Sequence, residues 1–139
     1  MVSMYLRIAI AAAALALPAC AQNNQKQVEL GRYLVESIGQ CAGCHTPKTA
    51  TGELDKSKWM KGTVMDIQPI GTPPAHWHKS SPDLTPSGKL WVKWGEGAML
   101  KYLQTGLTPS GKPAGPPMPM YKYSNEHAEA VLAYLKTLK

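Results

Sequence analysis

No apolar stretch in this chain reaches the roughly 20 residues that cross a bilayer; the longest, Ile8 to Leu17, covers ten. A transmembrane span is therefore not expected. Cysteine is scarce: of three residues, only Cys41 and Cys44 stand as a closely spaced pair. Closed structural zinc needs four ligands, usually from a second Cys or His pair, and no second cysteine pair exists. No five-residue alternation of apolar and polar residues is strong enough to read as a sheet, and no internal repeat is present. Acidic side chains are few, nine against 15 basic ones, for a net charge of +6. The excess is almost all lysine, spread along the chain without a basic cluster or a reading motif, which excludes a nucleic-acid binder.

What is present begins with a leader. Met1 to Arg7 carry one basic side chain and no acid, the ten-residue apolar run comes next, and Pro18-Ala19-Cys20-Ala21 closes it with small residues. These are the regions of a secretory signal peptide. Residues 1–21 are assigned to it and 22–139 to one domain, placed in a bacterial periplasm. Ala19-Cys20-Ala21 fits a small-x-small cleavage site that leaves a soluble chain from Gln22. Leu17-Pro18-Ala19-Cys20 also resembles a lipoprotein box, which would make Cys20 a lipid anchor. The soluble product is preferred, because proline before the alanine is unusual in such a box. Without the leader the domain has 118 residues and a net charge of +5, Arg7 being the one charge removed.

Cys41-Ala42-Gly43-Cys44-His45 carries the chemistry. In an exported protein a Cys-x-x-Cys-His run reads as a covalent c-type haem attachment site. Each cysteine forms a thioether to one vinyl group, and the adjacent histidine supplies the proximal nitrogen ligand of the iron. A thioredoxin-like dithiol would want a strand-helix-strand context, and nothing around residues 30 to 60 alternates like a strand. A structural disulfide in so short a loop would constrain little of the unfolded chain. One haem c per chain is the expected cofactor, held by Cys41, Cys44 and His45.

Helices are expected at both ends of the domain. Asn23 or Asn24 can cap the first, on which Val28, Gly31, Leu34, Val35 and Ile38 form an apolar face. Ser124 can cap the last, with Ala128, Val131, Leu132, Leu135 and Leu138 as its buried stripe. A third is expected from about Gly95 to Gln104, ended by Gly106 in the left-handed conformation. Residues 46–90 and 106–123, rich in Pro, Gly, Ser and Thr, read as loops. So small a chain has little apolar core of its own. A bound haem becomes part of that core, and the haem-free chain is expected to be unfolded or molten.

The second axial ligand decides the function: methionine closes the iron for electron transfer, whereas an open position invites gas or peroxide chemistry. Met60, Met65, Met99, Met118, Met120, His76, His78 and His127 are the candidates. Met118 is preferred, because Pro117 and Pro119 hold it on a stiff loop with few alternative conformations. Met99 reads as helix core, and Met60 and Met65 lie close to the attachment motif. His76-Trp77-His78 could present two imidazoles on one side if extended, but no third ligand stands nearby, so both read as surface residues. His127 reads as solvent-facing. Of Trp59, Trp77, Trp91 and Trp94, some are expected to line the haem crevice with indole N–H groups available to a propionate.

These features resemble a class I cytochrome c, and the resemblance covers residues 26–139. Its pattern of a glycine-bearing first helix, attachment motif, methionine loop and aromatic-bearing last helix is matched by Gly31, Cys41 to His45, Met118 and Tyr134. The resemblance implies an all-α cytochrome c fold, with three or more short helices and long loops wrapped around one covalently bound haem c. It also implies a Gly31–Tyr134 contact where the end helices cross. Ser81-Pro82-Asp83-Leu84-Thr85 matches the family segment whose proline carbonyl accepts the proximal histidine's second N–H, which nominates Pro82. Thr46-Pro47, Pro82 to Pro86, Leu103 to Gly106 and Pro117 to Pro119 are similar to haem domains in cytochrome subunits of periplasmic dehydrogenases. Those subunits usually carry several such domains; this chain has one motif.

The expectation is a one-electron carrier without catalytic activity of its own, free or as a subunit of a respiratory or dehydrogenase chain. A periplasmic dehydrogenase would be its donor and an oxidase or another cytochrome its acceptor. The lysines then read either as a solvated surface or as a docking face for an acidic redox partner, where charge mainly raises the encounter rate. The alternatives are a haem enzyme or gas sensor with an open sixth position, and a thiol oxidoreductase without haem.

Overall fold

The structure, a computed structural model, describes residues 22–139; the expected leader, including Cys20, lies outside the described residues. Helix α1 (22–33) runs without interruption into a π-helical turn, Leu34–Ile38. The one-turn helix α2 (Ala42–His45) comes next. After a 3-10 turn at Lys56–Lys58 come two short antiparallel strands, β1 (Thr63–Val64) and β2 (Ser80–Ser81), paired Thr63 to Ser81 and Val64 to Ser80. Helices α3 (Lys89–Thr105) and α4 (Asn125–Leu135) complete an all-α architecture in which loops make up most of the remainder.

The π turn overturns one expectation. The Gly39 N–H donates to the Leu34 carbonyl at 2.8 Å, five residues back. Each residue turns an α-helix by about 100°, so one inserted residue rotates the next side chains off the apolar face. Leu34 and Val35 stay buried, while Ile38 is 56% exposed.

Helix α3 starts six residues earlier than expected. Gly95 (φ 71°, ψ 169°) interrupts it with a conformation that L-residues rarely adopt, so a segment from Lys89 to Trp94 precedes the expected helix. Trp91 anchors that segment, its indole N–H donating to the Leu84 carbonyl at 2.7 Å. Met99, Tyr102 and Leu103 are buried, and Gly106 (φ 73°) ends the helix with its N–H on the Tyr102 carbonyl. In α4 the Ser124 hydroxyl accepts from the His127 N–H at 3.2 Å, as a cap should. Ala128, Ala130, Val131, Leu132, Tyr134 and Leu135 are buried, while Leu138 and His127 are half-buried. α1 crosses α4 at Gly31, and these helices together with α3 and Met60 enclose the core.

Candidate cofactor site

The attachment turn is built by backbone hydrogen bonds. The Cys41 N–H donates to the Val35 carbonyl at 3.0 Å, seating α2 on the end of α1, and the His45 N–H returns to the Cys41 carbonyl at 2.9 Å. One helical turn brings both cysteines and the histidine together, and both cysteines are free. Burial pushes the Cys41 thiol up to about 11. That disfavours the thiolate that dithiol chemistry needs.

His45 is 4% exposed, and its Nδ1 lies 2.9 Å from the Pro82 carbonyl oxygen. A carbonyl only accepts, so Nδ1 carries the proton and Nε2 is the nitrogen with a lone pair for a metal. Burial lowers the imidazole's affinity for a second proton more than the Pro82 bond raises it, which holds the ring neutral, as a metal ligand must be. Two free cysteines and a neutral, oriented imidazole on one turn fit covalent haem and its proximal ligation.

Residues to which the sequence assigned no such role hold Pro82 in place. Gly62 (φ 75°) has no room for a side chain: a Cβ there would lie 2.6 Å from the Ser81 carbonyl oxygen and 2.7 Å from the Pro82 carbonyl carbon. Its N–H donates to the His45 carbonyl at 2.8 Å. The Ser81 hydroxyl donates to the Cys44 carbonyl at 2.5 Å and accepts from the Thr63 N–H at 3.0 Å. Thr46, 1% exposed, accepts the Met60 N–H on its hydroxyl. In the sequence Ser81 stands out only as the first residue of the segment that resembles the family's proline loop, and Gly62 only as a glycine within a loop.

The candidate sixth ligands separate by environment. Met60 (0% exposed) and Met99 (4%) belong to the helical core. Met120 is 49% exposed and packs on the end of α3, its Cγ 2.1 Å from where a Cβ of Gly106 would be. Met118 is half-buried at the end of a turn closed by its own N–H on the Gly115 carbonyl, 3.2 Å, with a cis peptide between Pro116 and Pro117. Tyr121 and Tyr123 stack 5.4 Å apart just beyond it, and the Tyr121 hydroxyl donates to the Gly39 carbonyl at 2.9 Å. His76 and His78 are exposed, and the positive φ of His76 (65°) breaks the extended geometry that would align their rings. Two indole N–H groups are used within the protein: Trp59 donates to the Tyr134 hydroxyl at 3.3 Å and Trp91 to Leu84.

Comparison with known proteins agrees with this geometry. Residues 28–139 match the family model described as cytochrome c. The chain is 34% identical over 113 residues to a "diheme cytochrome c-type" protein of Cereibacter sphaeroides, aligning 78% of this chain with 34% of that one. It is 30% identical over 115 residues to a subunit of the nicotinate dehydrogenase of Pseudomonas putida, covering 78% and 9%. The fructose dehydrogenase cytochrome subunit of Gluconobacter japonicus is 26% identical over 114 residues, covering 78% and 21%. The chain thus spans about a third or less of the length of these relatives. Among the described residues no helix is long and apolar enough to cross a membrane.

Proposed function

The chain belongs to the cytochrome c family and carries covalent haem c, and on that premise we propose that it is a periplasmic one-electron carrier whose iron is held between His45 and Met118. When bound, the haem supplies a reversible one-electron couple between ferric and ferrous iron. Cys41 and Cys44 anchor it covalently. His45 offers Nε2 as the proximal ligand, and the Pro82 carbonyl fixes its tautomer and ring plane. That buried, neutral, oriented imidazole beside two free thiols is the observation that carries the reading. Met118 is the distal ligand in this reading, favoured because Met120 is committed to Gly106 and both Met60 and Met99 to the core.

A donor among periplasmic dehydrogenases fits the relatives, two of which are named as dehydrogenase subunits. An oxidase or a further cytochrome would accept the electron. All thirteen lysines of the described domain are exposed, which suits encounter with an acidic partner surface. Export through residues 1–21, with Cys20 either removed or lipidated, belongs to the same proposal; intact mass of the mature protein reports cleavage site, lipid and haem together.

The test is spectroscopic. The oxidised protein should show a weak far-red sulfur-to-iron charge-transfer band that Met118→Ala removes and Met120→Ala keeps. Carbon monoxide binding to the untouched reduced protein would overturn the closed site in favour of an open-site enzyme or sensor.

A further inference from the structure

The loop between the two strands reaches across to the methionine turn. The His78 backbone N–H donates to the Pro116 carbonyl at 2.9 Å. Gly115 (φ 90°) is the seat for this contact: a Cβ there would lie 2.9 Å from the His76 carbonyl oxygen and 3.1 Å from His78 Nε2. Four residues further on, the Pro82 carbonyl accepts from His45. Between these two grips the chain is fixed by the ladder, with the Met65 N–H on the Lys79 carbonyl at 2.9 Å and Ser81 bonded to Cys44 and Thr63.

We propose that His78 to Pro82 is a positioning strap: its two ends hold the Met118 turn and the His45 ring to one short, ladder-pinned segment, with the His78 N–H as the distal grip. Four residue steps span no more than about 14 Å, so the strap has little slack, and release at Pro116 frees the Met118 turn from the proximal side. The imidazole of His78 is not the working part; the backbone donor is. This inference rests on Met118 being the distal ligand.

An external ligand measures how often the Met118 turn opens, since its apparent affinity scales with the open fraction. One hydrogen bond of this kind is worth a factor of about three to ten. Imidazole binding to the oxidised holoprotein should therefore tighten about three- to tenfold in His78→Pro, which lacks the N–H, and stay within twofold of the parent in His78→Ala, which keeps it. Amide exchange at His78 decides the matter if His78→Pro yields no holoprotein. Linkage is reciprocal, so Met118→Ala should speed amide hydrogen exchange at His78 by a similar factor. Unchanged imidazole affinity in His78→Pro, an equal effect of His78→Ala, or unchanged exchange at His78 in Met118→Ala overturns the strap. If Met118→Ala leaves the charge-transfer band in place, it is the ligand assignment that has failed.

Discussion

A methyl group on Gly31 would fall 1.8 Å from the carbonyl oxygen of Ala130 and 2.9 Å from Cβ of Tyr134. The nearest obstacle is backbone in the middle of α4, which cannot swing aside as a side chain would. Gly31→Ala is therefore a test of sign. In an exposed helix interior the change would gain about 1 kcal/mol. Here the helices must part, and overpacking of this kind costs about 1–3 kcal/mol or more. The expected net loss is about 2 kcal/mol, which lowers the melting temperature of the holoprotein by about 8 °C at this size. A variant that melts at or above the parent temperature would show that the crossing is looser than this contact.

Ser81 joins both sides of the proximal support through one hydroxyl, donating to Cys44 and accepting from Thr63. Ser81→Ala leaves a part-buried carbonyl and a part-buried N–H without that partner, at about 1–3 kcal/mol for such a loss. Ser81→Thr keeps the hydroxyl and should recover most of the difference. Denaturant unfolding of the three holoproteins reads this directly; equal midpoints for the serine and alanine forms would mean that water replaces the hydroxyl without cost.

The helical frame and the bond from His45 to Pro82 were legible in sequence for different reasons. Ser124 and Gly106 announce themselves because a cap hydroxyl and a left-handed glycine are local requirements, met by residue type alone. The contact of Gly31 with α4 and the bond from His45 to Pro82 join residues about 100 and 37 positions apart, and only the family pattern pointed to them. What escaped was geometry that composition does not encode. Gly95 reads as a helix start, yet it is a kink between two helical segments. Ile38 fits the apolar period until a π turn shifts the phase. Trp59 is as plausible a propionate donor as any tryptophan until its N–H is seen on Tyr134.

Tyr134 gives a pH signature. Burial, and then the hydrogen bond its hydroxyl donates to Glu36 Oε1, push it up to about 12, against a small opposing effect of Trp59. An unfolded tyrosine ionises near 10. Between these values the unfolded chain releases this proton and the folded one keeps it, so the stability gained from the neutral hydroxyl is intact below pH 10 and is lost as pH rises through 12. Tyr134→Phe removes that proton from both states. Stability measured from pH 9 to 11.5 should fall less steeply in the phenylalanine variant, and parallel slopes would place the alkaline sensitivity elsewhere.

Covalent attachment should matter unequally across the molecule. The buried cluster is supplied mainly by the π turn after α1 and by α3 and α4, with Leu34, Val35, Met99, Leu103, Val131, Leu132 and Leu135 among its members. The loops from Thr46 to Gly88 contribute only Met60, Thr46, Thr85 and Gly88 to the fully buried set. These loops rely on short ladders and single hydrogen bonds, and they converge on the attachment turn through Gly62, Ser81 and Pro82. A Cys41→Ser/Cys44→Ser chain without haem should therefore keep much of its helical far-ultraviolet signal, lose the near-ultraviolet signal of its packed tryptophans, and melt without a cooperative transition. That combination is the signature of a molten state. The same near-ultraviolet spectrum and the same cooperative melt in the haem-free and haem-bound forms would mean that the polypeptide packs its own core, and that the cofactor adds redox chemistry to a fold already complete.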